Sequence, residues 1–334
     1  MKQLPLVSDP ASSPIGSFEG ASTADRPGLA RASRLGPAKT IAGVPSALVA
    51  AAMARGRPLD PVFGHVRIAH PAHGELLPDE RIVRVARELA WTVPHVEVLH
   101  ATELRFRLQK AGDGAHAMEV ARVLASKCGA THVRTVVATS PLAASLATRS
   151  HPRSATAEAD ATLDRHLDHA ESLAELGRTP VDTMLLSTGA RILLAAARVR
   201  TLLDLACATA LPALEEIERL RIPAARALGV VALPDPRGIA SLALPRGDDR
   251  AAQWAWIATP LLRHAASAGR KTRAGSLVLQ LRARLAHGAQ LTFALSAARG
   301  SVRSQTDMLA LSAGRALREA DLASPIVAVE VHAV

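Results

Sequence analysis

The C-terminal segment 237–334 restricts the possible folds most, because its secondary-structure signals alternate in a regular order. Apolar runs with strand character and amphipathic runs with helical spacing predict strand, helix, strand, strand, helix and strand. A short turn that contains His287 and Gly288 joins the two middle strands and predicts a hairpin. The six segments are 239–244, 249–267, 276–285, 290–296, 304–320 and 326–331. This order predicts a small βαββαβ unit.

The same segment carries most of the positive charge of the chain. It has 13 Lys and Arg against 6 Asp and Glu, an excess of +7, and the formal net charge of the whole chain is +10. A basic face on a small sheet suits the phosphate backbone of a nucleic acid, and such binding is salt-sensitive. Aromatic residues make up only 2% of the chain, which argues against base-stacking platforms for single strands. A basic composition without a binding role is the alternative.

The remaining bulk properties indicate a reduced, aqueous compartment. No apolar run approaches the roughly 18 residues that a membrane-spanning helix needs, and prolines interrupt the N-terminus, which argues against a secretory signal. The two cysteines, Cys128 and Cys207, lie in Ala- and Leu-rich periodic stretches and are predicted to be buried thiols rather than a disulfide. We expect a cytoplasmic, nucleoid-associated protein.

Four regions are predicted along the chain. Residues 1–60 are predicted to be disordered or irregular, apart from a short helix over 45–54. An α/β region over 61–150 and a helical region over 151–236, entered through a polar linker, precede the basic segment 237–334. The elements predicted in the second region are helices 78–90 and 115–127, strands 96–99, 104–108 and 132–138, and a helix opened by Ser140 and Pro141. In the third region, 164–228 is predicted to be helical.

The order of these parts resembles the Y-family DNA polymerases, and within them the catalytically degenerate ImuB type of bacterial damage-induced mutagenesis. Residues 95–147 resemble the palm. Residues 180–217 resemble the thumb, since 199–206 matches the step that follows its helix-hairpin-helix, and 237–334 resembles the little finger. The resemblance implies an α+β, multidomain fold with a degenerate palm sheet, a small helical thumb and a C-terminal βαββαβ little finger.

The departures from this family concern its catalytic centre. Nucleotidyl transfer needs metal ions held by palm carboxylates, and the resemblance places the adjacent acidic pair at Thr102 and Glu103, where one carboxylate is a hydroxyl. No counterpart of the first metal-binding strand is evident in residues 1–65, because Asp60 lies between prolines, which disfavour a central strand. The aromatic gate against ribonucleotides is also missing: Tyr is absent, and Phe18 lies in the N-terminal region. The resemblance therefore implies an inactive homologue without a cofactor.

The implied role is a DNA-binding adaptor in translesion synthesis during the SOS response to DNA damage. The side chains expected to contact the primer-template backbone are Arg270, Lys271, Arg273, Arg282, Arg284, Arg299 and Arg303. Arg282 and Arg284 share one strand face by their two-residue spacing. An active translesion polymerase, with Mg²⁺ held by Glu103 and a carboxylate from the first 65 residues, is one alternative. An interaction protein that kept the fold without binding DNA is another.

A short apolar motif near the N-terminus resembles the bacterial sliding-clamp-binding pentapeptide. Its residues are Gln3, Leu4, Leu6 and Val7, and Val7 departs from the bulky aromatic that the family usually has. The implied partners are the sliding clamp, a RecA-like accessory protein and an error-prone C-family polymerase. The histidine pairs His70/His73 and His166/His169 have helical i, i+3 spacing, but no further ligands accompany them, so a structural role is favoured over a zinc site.

Overall fold

The computed structural model describes residues 46–69, 78–130, 132–149, 162–209, 211, 213–233, 235–236, 238–248, 251–269, 276–320 and 324–334. These residues belong to one compact unit. The predicted clamp-binding residues Gln3, Leu4, Leu6 and Val7, the linker 151–161, and the pair His70 and His73 lie outside the described residues. Among the described helices, none combines the length and apolar character of a membrane span.

Within the described residues, nine strands form one mixed sheet in the order β5-β4-β1-β3-β2-β6-β9-β7-β8. The strands are β1 (Phe63–Ala69), β2 (His95–His100), β3 (Glu103–Arg107), β4 (His132–Ala138), β5 (Thr162–His166), β6 (Ala240–Asp248), β7 (Ser276–Leu285), β8 (Gln290–Ala298) and β9 (Ile326–Ala333). The predicted βαββαβ order of the C-terminal segment is confirmed. Gly288, with φ 92°, supplies the left-handed turn between β7 and β8.

Helices cover both faces of this sheet, and the predicted α+β class is confirmed. They are α1 (Ser46–Met53), α2 (Pro78–Leu89), α3 (Gly114–Lys127), α4 (Pro141–Arg149), α5 (His169–Arg178), α6 (Thr188–Ala196), α7 (Leu202–Cys207), α8 (Glu215–Leu228), α9 (Ala251–Gly269) and α10 (Val302–Glu319). The predicted start of α4 is confirmed, because the Ser140 hydroxyl accepts a hydrogen bond from the Ala143 N–H at 3.1 Å.

Two strands differ from the sequence predictions. β1, for which no strand is predicted, pairs antiparallel with both β3 and β4. Its buried Val66 and Ile68 alternate with His65 and Arg67 on the other face, which is the pattern of a pleated strand. β5 lies where the sequence predicts a helix, and it pairs parallel to β4. Its five residues are too few to show a period, so tertiary pairing decides their conformation.

The larger hydrophobic core packs α2, α3, α9 and α10 against one face of the sheet. It is continuous from the first half of the chain to the last, since buried Val96 and Leu104 belong to the same cluster as Leu242, Trp254 and Leu281. A second cluster packs α4 against the other face at β4 and joins it to the helical region from α5 to α8 and to α1. The rest of that second face, away from β4, borders α4 and α8.

β2 and β6 join the two halves of the sheet through a short parallel pairing. His95 lies opposite Ser241, and two further residue pairs follow. The Ser241 N–H donates to the Pro94 carbonyl at 2.8 Å, and Nδ1 of His95 lies 3.1 Å from the Ser241 hydroxyl. Nearby, Nε2 of His264 on α9 donates to the Ala90 carbonyl at 2.9 Å. The regions 61–150 and 237–334 thus share one sheet, while their independence as domains stays a prediction.

Candidate functional site

The sheet face opposite α2, α3, α9 and α10 carries charged side chains across most of its width. Residues paired directly across antiparallel strands project from the same face. Arg67 is paired with both Glu103 and Arg134, and on the far side of the sheet Arg282 is paired with Glu330. Following the register through β4, β1, β3 and β2, and through β9 and β7 on the far side of the sheet, places six arginines on this face. They are Arg67, Arg105, Arg107, Arg134, Arg282 and Arg284; we call them the arginine face.

Four basic side chains surround the carboxylate of Glu103, the first residue of β3. Nη2 of Arg149 donates to it at 2.7 Å, and Nε2 of His100 lies 3.2 Å away. Nε2 of His65 is 3.5 Å and Nε of Arg67 is 3.6 Å from its oxygens. The Glu103 side chain is only 4% exposed, whereas Arg67, His100 and Arg149 are each about half exposed. A buried carboxylate therefore lies beneath a basic surface.

His65 connects this cluster to the end of α4. The Thr148 hydroxyl donates to the Ser145 carbonyl at 2.8 Å, so its oxygen accepts the proton on Nδ1 of His65 at 3.0 Å. Nε2 of the same ring then faces Glu103. Together with Arg149, the last residue of α4, this bond fastens the C-terminal turn of α4 to β1 and β3. The cluster holds the helix on the sheet.

The electrostatics of Glu103 follow from these contacts. Burial alone would raise the pKa of its carboxyl group, but the adjacent His65 and Arg149 side chains lower the pKa to about 2. The carboxylate is ionised at neutral pH and its oxygens face basic groups. A Mg²⁺ ion requires several free oxygen ligands, and among the described residues no cluster of acidic, His or Cys side chains could hold a metal ion. The described residues do not fit the two-metal centre of the resembled family.

The structure shows where the residues of the predicted acidic pair and the region of the predicted missing metal-binding strand lie. Thr102 lies in the turn before β3, where its hydroxyl is 3.2 Å from Nδ1 of His100. Asp60 is exposed and lies in no strand. β3 lies between β2 and β1. β1, for which the sequence predicts no strand, presents His65 and Arg67 rather than carboxylates beside Glu103.

A groove of about 390 Å³ runs along the same sheet face over the joint between β2 and β6. Arg105, Arg107 and Ser241 contribute to its floor, and Arg226 and Asp235 to its wall. His95 also lies on the floor, and burial first, then the charges of Arg107 and His264, lower its pKa to about 4. A neutral imidazole thus sits among guanidinium groups at the centre of the face.

The structure separates the arginines that the sequence predicts to contact DNA. Arg282 and Arg284 lie on the arginine face, and Nη2 of Arg282 donates to the Gln280 side chain at 3.0 Å. Arg299 follows β8, and Arg303 is in the first turn of α10, which packs on the opposite face; both are exposed. Arg270, Lys271 and Arg273 lie outside the described residues. Sequence reasoning missed Arg67, Arg105, Arg107, Arg134 and Arg149, although polar–apolar alternation in β1 and β3 was a usable signal.

The helical hairpin formed by α6 and α7 is internally capped. The chain turns at Arg198, with φ 57°, and a capping box joins Thr201 to Asp204 at the start of α7. The Asp204 carboxylate accepts hydrogen bonds from the N–H groups of Arg200 and Thr201 at 3.0 and 2.9 Å. Backbone donors that could bind a phosphate are thus engaged by the chain's own carboxylate, as expected for an ordinary helical hairpin.

Comparisons with known proteins show a remote similarity between this chain and several solved structures. No protein-family profile matches it, and no curated protein matches its sequence. DinB from Sulfolobus solfataricus is 16% identical, with a TM-score of 0.35 over 76% of this chain and 75% of that chain. The insertion ternary complex of Dbh DNA polymerase is 16% identical, with a TM-score of 0.33 over 76% and 74%. A Y-family DNA polymerase chimera of Dbh and Dpo4 is also 16% identical, with a TM-score of 0.32 over 76% and 74%. The fold class rests on the strands and helices described above.

Proposed function

We propose that this chain is a non-catalytic, Y-family polymerase-like protein that binds the backbone of primer-template DNA and acts as an adaptor in damage-induced translesion synthesis. The observation that carries the proposal is the neutralisation of Glu103 by His65, Arg67, His100 and Arg149. A carboxylate that binds catalytic Mg²⁺ needs other carboxylates beside it. Here basic groups take their places, and these attract phosphate rather than metal.

The arginine face supports the binding of DNA. Arg284 is exposed, and Arg282 lies two residues before it on β7. Opposite them, β8 presents Gln290 and Thr292, whose short polar side chains leave the surface open to a backbone. Arginine contacts to phosphate release counterions, so the affinity of such a complex falls as salt rises. Without aromatic platforms, the expected binding depends little on base sequence.

The partners follow from the sequence resemblance and are proposed with it. Gln3, Leu4, Leu6 and Val7 would dock the N-terminus into the sliding clamp. A RecA-like accessory protein and a C-family error-prone polymerase would complete the assembly, in which the second enzyme supplies the catalysis. The corresponding location is the cytoplasm, at the nucleoid.

The experiment that tests DNA binding uses the full chain, because the core is continuous between its two halves. A fluorescent primer-template is titrated at several salt concentrations with the wild type, with Arg282→Gln/Arg284→Gln, and with a matched control, Arg315→Gln/Arg318→Gln. The control removes two exposed arginines from α10, on the other side of the sheet. We expect the first variant to lower the salt slope by about 1 to 2 and the control to leave it unchanged.

A primer-extension assay with Mg²⁺ or Mn²⁺ separates the proposal from an active polymerase. The proposal predicts no added nucleotides, whereas a rearranged metal site that used Glu103 would extend the primer and would lose this activity in Glu103→Gln. If the wild type fails to bind DNA at about 0.15 M salt, where exposed charges are screened beyond about 8 Å, the DNA-independent interaction protein is the better account.

A further inference from the structure

Helix α6 and the residues before it expose an apolar surface that has no role in the proposed DNA binding. Leu185, two residues before the N-cap Ser187, is fully exposed at 102%, and Ile192 in the middle of the helix is 63% exposed. Ala195 and Ala196 are exposed on the same helical face as Ile192. These residues and Gly189 form the α6 surface.

The small residues of the α6 surface suit close contact with another helix. A Cβ atom at Gly189 would meet nothing nearer than the Ser187 hydroxyl, at 4.0 Å, so the backbone there is open to an approaching partner. Interaxial distance between packed helices depends on side-chain size at the contact, and small residues permit the shorter separations. Ile192, 63% exposed in the middle of α6, is a large apolar side chain among these small residues and can anchor a partner helix.

The charges around the α6 surface define the partner further. Arg191 follows Leu185 and Gly189 and precedes Ile192 in the chain, Arg198 and Arg200 follow the end of α6, and all three are exposed. Among the described residues, none forms an ion pair with them. At the start of α6, the Ser187 N–H donates to Oε2 of Glu216 at 2.8 Å, and this backbone bond is the main cause of the lowered pKa of Glu216. A carboxylate already occupies the position that a phosphate would use, which disfavours nucleic acid here.

We propose that the α6 surface docks an amphipathic helix of another protein, whose apolar stripe is flanked by Asp or Glu side chains. Ile192 and Leu185 supply the apolar contacts, and the three arginines select the acidic flanks. The surface lies on a different element from the arginine face, so this docking does not depend on the proposed function.

The test uses two labelled helical peptides of about 20 residues, each with leucines at i, i+3, i+4 and i+7 spacing. One peptide has Glu and the other has Lys at the flanking positions, and each is titrated with the full chain by fluorescence anisotropy. We expect saturable binding of the Glu peptide, about tenfold weaker binding of the Lys peptide, and about tenfold loss in Ile192→Glu. The control Leu311→Glu alters an exposed leucine on α10 and leaves binding unchanged, and circular dichroism confirms that each variant is folded.

A charge-reversed variant, Arg191→Glu/Arg200→Glu, keeps the test independent of Ile192. It is expected to prefer the Lys peptide. The proposal is overturned if the Glu peptide does not saturate, if Ile192→Glu binds it as well as the wild type does, or if charge reversal leaves the preference unchanged. It is also overturned if a DNA duplex displaces the peptide and loses affinity in Ile192→Glu, because the surface would then bind nucleic acid.

Discussion

Nη2 of Arg149, at the end of α4, donates to the Glu103 carboxylate at 2.7 Å across 46 residues of chain. This bond joins a helix to the sheet at the place where the resembled family requires an acidic pair. It is the shortest of the four contacts between the carboxylate and the basic groups around it. We therefore expect it to stabilise the packing of α4 on the sheet. Removing it has consequences that can be measured separately from any activity.

Glu103→Gln is expected to lower the free energy of unfolding by about 2 kcal/mol, since four basic groups lose the charge that they surround and three of these groups are partly solvated. Urea denaturation at neutral pH measures the change. Glu97→Gln is the control: its partner Arg105 lies 2.6 Å away, but both side chains are over 40% exposed, so a change below about 0.5 kcal/mol is expected. Equal effects of the two substitutions would contradict the assignment.

Gly64→Ala is expected to destabilise the sheet by about 2 to 4 kcal/mol, because the new Cβ would collide with the ring of Phe106, its cross-strand partner in β3. Phe106 is buried, at 3% exposure. Gly112→Ala is the matched control, since nothing lies within 4 Å of a Cβ at that position. Thermal unfolding compares the two variants, and a stable Gly64→Ala protein would mean that β1 and β3 pair differently.

The stability of the chain is expected to fall between pH 7 and pH 5. Burial lowers the pKa of His95 to about 4 and also lowers the pKa of His169 and of His264. Below pH 7 the unfolded state therefore binds more protons than the folded state, and stability is lost as the pH falls through the unfolded value of about 6.5. His95 alone is expected to account for a loss of about 2 kcal/mol over this interval, and the other two imidazoles act in the same direction.

Urea titrations at pH 7, 6 and 5 measure this loss, and His95→Gln should reduce it by removing the group with the largest stated shift. The Glu103 carboxyl group adds a second, more acidic phase: its pKa is lowered, so its contribution is present above about pH 4.5 and disappears toward pH 2. An unfolding free energy that does not change from pH 7 to pH 5 would show that the three imidazoles are solvated.

Thr201→Ala is expected to cost about 1 kcal/mol through loss of the N-cap of α7. The Thr201 hydroxyl accepts a hydrogen bond from the Asp204 N–H at 3.1 Å, and the Asp204 carboxylate accepts one from the Thr201 N–H. Thr188→Ala in α6, where the threonine is exposed, is the control and should change stability by less than about 0.5 kcal/mol. A cost below that of the control would mean that the hairpin does not depend on its cap.

The C-terminal part of the fold could be predicted because each element there has a local signal. The alternation in β9, the turn at Gly288 and the helical spacing of α10 each lie within a short window of sequence. β5 could not be predicted in this way, since only its pairing with β4 makes it a strand. For the same reason, the sequence predicts a helix there.

The candidate site was predicted only in part, for a related reason. Glu103 was identified from the resemblance, but the partners that neutralise it come from β1 and from the end of α4. His65 and Thr148, which form one hydrogen bond, are 83 residues apart. No local pattern links such positions, so the basic surroundings of Glu103 emerge only from the tertiary structure.

The parallel pairing of β2 with β6 has a consequence for the nascent chain. The bonded side chains of His95 and Ser241 are 146 residues apart, so at about 5 to 20 residues per second β2 waits roughly 7 to 30 s on the ribosome for its neighbour. During that time its outer edge offers unpaired N–H and C=O groups to any other strand. Until Ser241 is synthesised, this edge of β2 is therefore an expected site of association with other chains.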